Sequence, residues 1–225
     1  MLQPIKVTYV ASNDIYDANQ LLQNLANYPI IACDFETAIK YTPADIAAFQ
    51  SIIDDPTSSK SDLIRARSCL AATAIDHVSH TTLTHCSIAY SESEAYVFIL
   101  DNPRLTKRIL NFLTITPITQ IWHNASYDFR HIYYYTQRFP INYEDSQLLA
   151  KSILNHVDVE KARVGLKELA GSRYGQWAIS PDNFSIDMMY DDSVKLYAAT
   201  DACATFWLYH SIRRYVNETL TEPGV

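Results

Sequence analysis

Four acidic residues in three separated segments have types and spacing that suit metal chemistry. Asp34 and Glu36 end an apolar run, Asp128 follows an Asn-Ala-Ser-Tyr segment, and Asp201 lies four residues after Tyr197. A buried strand has little reason to end in two carboxylates unless a positive charge compensates them. A pair of divalent cations is the economical compensator, and phosphodiester cleavage is the chemistry that uses such a pair.

Each member of this set also has an ordinary structural explanation. Asp34 and Glu36 are two apart on a predicted strand, so their side chains point to one face and could share a hard cation. A solvated strand end is the alternative. Tyr197 and Asp201 are neighbours on one helix face, about 6 Å apart, where a tyrosine beside an aspartate is usually a simple hydrogen bond. Only the ordered combination of the three segments indicates a site.

The ordered motifs resemble those of the DEDD exonucleases, in the subgroup with tyrosine in the third motif. They are Asp-x-Glu at 34–36, Asn-x-x-Tyr-Asp at 124–128 and Tyr-x-x-x-Asp at 197–201. More narrowly, the chain resembles the proofreading domain of bacterial DNA polymerase I and related family A polymerases, here as a stand-alone exonuclease. Segments 145–149 and 165–170 are weaker likenesses. The resemblance implies an α/β, ribonuclease H-like fold with a mixed five-stranded sheet flanked by helices.

The resemblance also implies how the metals would be held. Two divalent cations, Mg²⁺ or Mn²⁺, would be bound by four ligands: Asp34, Glu36, Asp128 and Asp201. Asp34 would bridge both cations, and Asp128 would hold the second largely through water. Tyr197 would orient the attacking water or hydroxide. These four carboxylates and the tyrosine form the expected catalytic set.

Three further residues match family positions near the terminal nucleotide, and we expect them to bind substrate: Thr37, Asn124 and Tyr127. A helix cap explains Asn124 equally well, and a core-edge tyrosine explains Tyr127. His123 precedes Asn124, and a structural role suits it better than a catalytic one.

The expected activity is metal-dependent 3′→5′ hydrolysis of DNA from single-stranded or frayed ends, releasing nucleoside 5′-monophosphates. Proofreading beside a separately encoded polymerase is one expected setting. The alternatives are a ribonuclease D-like enzyme that trims RNA 3′ ends and a catalytically silent binding module of a replication complex. The presence of all four carboxylates and the tyrosine counts against the silent module.

The residue pattern predicts the elements that must position these groups. Apolar and alternating runs predict five strands, at 7–10, 30–35, 83–91, 95–100 and 117–122. Amphipathic periodicity predicts a helix that begins near Ile15 after a Ser-Asn-Asp cap, and further helices at 44–53, 63–75, 104–113, 127–136, 145–154 and 193–215. Residues 92–94 link a predicted hairpin.

This mixture of strands and helices predicts a single domain over residues 1–225, with 38–63 as an insertion. The insertion carries the basic side chains of Lys40 and Lys60, and Arg65 and Arg67 follow it. These residues could make it a flap that guides a nucleic acid strand, and a solvated surface excursion is the alternative.

Composition limits the partners and the setting. The net charge of −7 argues against gripping nucleic acid by bulk electrostatics, although bound cations would cancel part of it. The four cysteines have no CxxC spacing, so neither a zinc site nor a disulfide framework is indicated. We expect a cytoplasmic protein, because the sequence has no signal peptide and no apolar stretch of spanning length.

Overall fold

A mixed sheet of six strands forms the centre of the structure, a computed structural model that describes residues 4–10, 15–39, 41, 43–73, 81–154, 163–175, 177 and 186–220. The strands are β1 (Lys6–Val10), β2 (Ile30–Ile39), β3 (Thr81–Ala89), β4 (Glu94–Ile99), β5 (Thr119–Trp122) and β6 (Tyr143–Asp145). Their order is β1-β4-β3-β2-β5-β6. The pairs β2–β3 and β3–β4 are antiparallel, and the other three are parallel.

The α/β class and the hairpin between β3 and β4 are confirmed, but the predicted number of five strands is wrong. The additional strand is β6, which has three residues, all of them exposed or half-buried. A strand this short shows no alternation of buried and exposed side chains, so its sequence carries no strand signal. The prediction therefore placed Asp145 in a helix, which in the structure begins one residue later.

Eight α-helices are described. They are α1 (Ile15–Leu25), α2 (Pro43–Asp54), α3 (Lys60–Thr73), α4 (Pro103–Ile115), α5 (Ala125–Thr136), α6 (Ser146–Leu154), α7 (Leu166–Tyr174) and α8 (Asp192–Leu220), with a 3₁₀ turn at Ile186–Met188. The predicted Ser-Asn-Asp cap of α1 and the predicted end of α3 lie outside the described residues. None of the described helices combines the length and the hydropathy that spanning a lipid bilayer requires.

Two apolar cores lie on opposite faces of the sheet. Helices α1, α4 and α5 cover one face, where the ring of Trp122 lies 5.5 Å from Phe35 and 5.5 Å from Phe129. Helices α7 and α8 cover the other face. Helix α8 presents fully buried small residues to the sheet: Ala198, Ala199, Ala202, Cys203 and Ala204. Small side chains let a helix approach a sheet closely, which brings the polar residues of α8 to the central strand.

Helices α2 and α3 form an excursion between two paired strand ends. Ile39 at the end of β2 is the register partner of Thr81 at the start of β3. The two helices pack against each other. Within the excursion, the rings of Tyr41 and Phe49 meet edge to face at 5.3 Å.

Candidate active site

Three of the predicted carboxylates meet where α8 crosses β2. One oxygen each of Asp34, Glu36 and Asp201 lies within 4.8 Å of the other two. Asp34 and Glu36 alternate along β2 with Cys33 and Phe35, which pack into the α1–α4–α5 core. Because neighbouring strand residues point to opposite faces, both carboxylates face α8. The predicted geometry of the first and third motifs is therefore present.

A β-bulge shapes the strand at this point. The register between β2 and β3 shifts between Glu36 and Thr37, where β3 contributes one additional residue, Thr84. The hydroxyl of Thr84 donates to the carbonyl oxygen of Glu36 at 3.0 Å. Bulges bend a strand and re-aim its side chains, and they are common beside active sites. The extra residue of this bulge belongs to β3 and lies opposite the junction of Glu36 and Thr37.

Asp128 joins the cluster from the first turn of α5. Its carboxylate accepts a hydrogen bond from the backbone N–H of Phe35 at 3.2 Å, between the two acidic residues of β2. Its side chain is almost completely buried. The structure thus brings all four predicted carboxylates to one place.

The start of α5 is fixed by an unusual turn. Asn124 has φ 66°, the left-handed region, which asparagine tolerates better than most residues. It occupies the N-cap position, but its side chain does not cap the helix. Asp145 does so instead, by accepting hydrogen bonds from the N–H groups of Asn124 and Ala125 at 3.2 and 2.9 Å. This role of Asp145 was not predicted from the sequence, although its segment was noted for a family likeness.

Two of the three predicted substrate residues contact each other. The hydroxyls of Thr37 and Tyr127 are hydrogen-bonded at 2.8 Å. Asn124 lies three residues before Tyr127 with an exposed side chain that accepts from the hydroxyl of Ser126 at 3.1 Å. Thr37 and Tyr127 flank the carboxylates on β2 and α5. Lys40, named above among the basic residues of the predicted insertion, falls outside the described residues.

His123 has partners within the fold. One ring nitrogen lies 2.9 Å from the hydroxyl of Ser146, and the other lies 3.0 Å from the carbonyl oxygen of Val164. Burial lowers the pKa of His123, which keeps its imidazole neutral. These contacts tie the end of β5 to α6 and to the segment before α7, as expected for a structural residue.

Two residues that were not predicted for the site contact Asp201. The ammonium of Lys167 on α7 forms an ion pair with both carboxylate oxygens of Asp201, and the indole N–H of Trp177 donates to one of them. The same ammonium lies 4.6 Å from the ring centroid of Tyr197 and 5.2 Å from that of Trp177. A lysine in a helix and an isolated tryptophan have no spacing signal, although Lys167 lies in a segment noted for its family likeness.

The surroundings of these carboxylates disfavour their ionised, negatively charged form. Burial, and then repulsion by Asp201, raises the pKa of Asp34 to about 7, while Lys167 opposes the shift. Burial also raises the pKa of Glu36 and of Asp128, with repulsion from Asp34 as the next cause in both. These are the shifts expected when several acidic groups share a poorly hydrated place. A bound cation would reverse them.

The donor set fits a hard divalent cation. One carboxylate oxygen of Glu36 is buried and has no hydrogen-bond partner among the described residues. A buried, unpartnered oxygen is costly, and coordination to a metal would satisfy it. All four side chains offer oxygen, which suits Mg²⁺ or Mn²⁺ better than softer metals.

The sequence matches one family model, described as 3′-5′ exonuclease, over residues 72–217. The match covers more than half of the chain and includes Asp128, Tyr197 and Asp201. It begins after β2, so Asp34 and Glu36 lie outside it and join the site through the sheet. No curated protein sequence matches this chain.

Several solved structures have a similar fold. The Aedes aegypti Nibbler EXO domain is 12% identical with a TM-score of 0.60, covering 97% of this chain and 93% of that one. Brucella melitensis NrnC bound to pGG is 16% identical with a TM-score of 0.55, covering 96% and 83%. The same protein with bound Mg²⁺ gives 14% and 0.50, covering 99% and 85%. Trypanosoma brucei RNase D is 14% identical with a TM-score of 0.58, covering 91% and 64%. These likenesses confirm the predicted ribonuclease H-like fold.

Proposed function

The chain belongs to the 3′-5′ exonuclease family, and from this premise we propose that it shortens single strands of nucleic acid with two divalent cations. The proposed ligands are Asp34, Glu36, Asp128 and Asp201. The observation that carries the proposal is the convergence of four carboxylates, with one oxygen of Glu36 left without a partner among the described residues. The bound Mg²⁺ in the similarly folded Brucella protein supports the choice of metal.

The positions of the carboxylates suggest which of them would be the ligand shared by both cations. Asp34 lies among the other three: its carboxylate is grouped with those of Glu36 and Asp201, and its backbone adjoins the contact between Phe35 and Asp128. It is therefore the proposed shared ligand. When bound, two divalent cations would lower the pKa of a water molecule, so that it could attack phosphorus as hydroxide, and would offset the charge on the departing 3′ oxygen. Phosphoryl transfer needs mainly positioning and charge neutralisation, so no covalent enzyme intermediate is proposed.

Tyr197 is the proposed residue that orients the attacking water. Burial, and then the charges of Asp201, Glu36 and Asp34, raises the pKa of its hydroxyl. The hydroxyl therefore keeps its proton at neutral pH and acts through hydrogen bonds rather than as a base. Its position one helical turn before Asp201 places it beside the proposed metal ligands.

Thr37 and Tyr127 are the proposed contacts to the terminal nucleotide. Their hydroxyls hold each other at 2.8 Å, so each is positioned before substrate arrives. Asn124 is the third proposed contact, and its exposed side chain lies at the start of α5. Hydrolysis at this end would release nucleoside 5′-monophosphates.

DNA and RNA are the two candidate substrates, which differ in their sugar. The resemblance of the motifs to a polymerase proofreading domain favours DNA. RNA is the second candidate, because a structure with a similar fold is named as a ribonuclease, RNase D. The pGG bound to the similarly folded Brucella protein suggests that very short substrates belong in the test for either sugar. Discrimination between the sugars would rest on contacts to the 2′ hydroxyl.

Matched DNA and RNA oligomers of one sequence would test this proposal. Each would carry a 5′ label and be incubated with Mg²⁺ and equal amounts of enzyme, and initial rates would be compared. The DNA proposal predicts faster shortening of DNA from the 3′ end. Faster shortening of RNA would establish the second candidate. A catalytically silent protein would shorten neither strand.

A further inference from the structure

The ammonium of Lys167 lies at Asp201, on one side of the carboxylate cluster. It contacts both carboxylate oxygens of that residue. Asp201 is almost completely buried, and 32% of the Lys167 side chain is exposed. A buried carboxylate needs a charged partner, and Lys167 supplies it where Asp34 and Glu36 also add negative charge.

The ammonium and a metal ion need the same oxygens. Trp177 donates to one oxygen of Asp201, and Lys167 contacts both. A cation that shared these oxygens with the ammonium would meet strong repulsion at close range. The two positive charges are therefore alternatives at this carboxylate.

The surroundings of Lys167 would also allow its ammonium to move away from Asp201. Its ammonium lies against the rings of Tyr197 and Trp177, an arrangement that favours a cation through the ring quadrupoles. Its side chain is partly exposed and flexible, so it can move to water without rearranging α7. A bound divalent cation would replace the Lys167 ammonium at Asp201. It would also contact the oxygen of Glu36 that has no hydrogen-bond partner among the described residues.

We propose that Lys167 is the counter-ion of the metal-free site and is displaced when a divalent cation binds. The proposal rests on the metal site of the proposed function. It assigns Lys167 a regulatory role: the lysine stabilises the metal-free protein and sets the concentration of metal at which the site fills. The side chain is a competitor of the metal rather than a ligand or a catalytic residue.

Binding of Mn²⁺ to the metal-free protein, measured by calorimetry, tests the proposal. Lys167→Met removes the charge and keeps most of the side-chain volume, so it should bind Mn²⁺ about tenfold more tightly or better. Its metal-free form should melt at a lower temperature than the wild type. Lys167→Arg keeps a cation and should retain the wild-type affinity within a small factor.

Lys195→Met is the matched control. Lys195 lies on α8 and pairs with the exposed Asp192 at 3.0 Å, so its loss should leave Mn²⁺ affinity unchanged. Equal or weaker binding by Lys167→Met would overturn the inference and leave the metal site standing. Failure of both wild type and Lys167→Met to bind Mn²⁺ would overturn the proposed function and the inference together.

A second measurement uses the wild type alone and does not depend on a variant that folds. Mild acetylation of lysine amines, followed by mass spectrometry, reports how accessible each ammonium is. Lys167 should be modified faster with Mn²⁺ present than without it, because displacement frees the amine. Lys195 should be unaffected. An unchanged rate at Lys167 when Mn²⁺ is bound would contradict displacement.

Discussion

At the scale of single residues, the site depends on negative charge held in a buried place. The pKa of Asp34 rises to about 7 without a bound metal, because burial and Asp201 both disfavour its ionised form. The structure offers partial compensation through Lys167. Because this compensation is only partial, the cluster keeps a net negative charge, which would favour a bound cation.

Tyr197→Phe separates orientation of water from metal binding. The substitution removes one hydroxyl and keeps the ring beneath Lys167. If the hydroxyl orients the attacking water, kcat should fall about 10²-fold, the low end of the range for positioned proton-handling groups. Mn²⁺ affinity, measured by calorimetry, should stay at the wild-type value. Unchanged turnover would remove Tyr197 from the mechanism, and lost Mn²⁺ binding would show that its role is structural.

The acidic residues of the site could be predicted from the sequence, because they lie in three motifs that follow one another in a recognisable order. Asp34, Glu36, Asp128 and Asp201 combine an acidic side chain with diagnostic spacing, and the structure brings them together. Lys167 was not predicted, because its position over Asp201 depends on how α7 packs against α8. No local pattern distinguishes such a lysine from one on the surface.

At the scale of elements, the close approach of α8 and the start of α5 position the site. Buried alanines let α8 lie against the sheet, which brings Asp201 to β2. The left-handed turn at Asn124 and the cap from Asp145 fix the first turn of α5, which carries Asp128. Hydrophobic periodicity predicted both helices. It could not predict the cap or the bulge after Glu36, because both depend on strand register in three dimensions.

Among the described residues, α2 and α3 supply no side chain to the proposed site. We propose that residues 40–80 form an insertion, overlapping the predicted 38–63, within one domain over 1–225. Because Ile39 and Thr81 are paired, a four-residue turn containing Asn-Gly could replace the excursion. The shortened protein should still melt cooperatively, since a shorter loop costs less entropy to close. It should also hydrolyse a short oligomer at a rate close to that of the wild type.

A companion variant tests whether the excursion guides longer strands. Lys60→Ala, Arg65→Ala and Arg67→Ala together remove charge while keeping both helices. Slower hydrolysis of long strands, with short ones unaffected, would favour a guiding flap. Equal rates on both would favour a solvated excursion. If the shortened protein folded but lost activity on short oligomers, the excursion would belong to the catalytic unit.

At the scale of the whole molecule, the sheet joins segments that are far apart in sequence. Strand β2 supplies two carboxylates from outside the region that the family model matches, and α5 and α8 supply the others from inside it. The α/β class followed from the alternation of strands and helices. The sixth strand did not, because three residues paired at the sheet edge have no periodic pattern. The sheet and the helices packed on it thus bring the three segments of the proposed site together.

The most direct test of this account is the shortening of a 5′-labelled single strand with Mg²⁺, by wild type and by Asp34→Ala. Asp34 is the proposed shared ligand, so its loss should abolish activity while leaving far-ultraviolet circular dichroism unchanged. The account predicts a ladder that shortens from the 3′ end with wild type, and none with EDTA or with the variant. A ladder that persisted in EDTA, or in a folded Asp34→Ala protein, would contradict the central claim of a carboxylate-bound metal site.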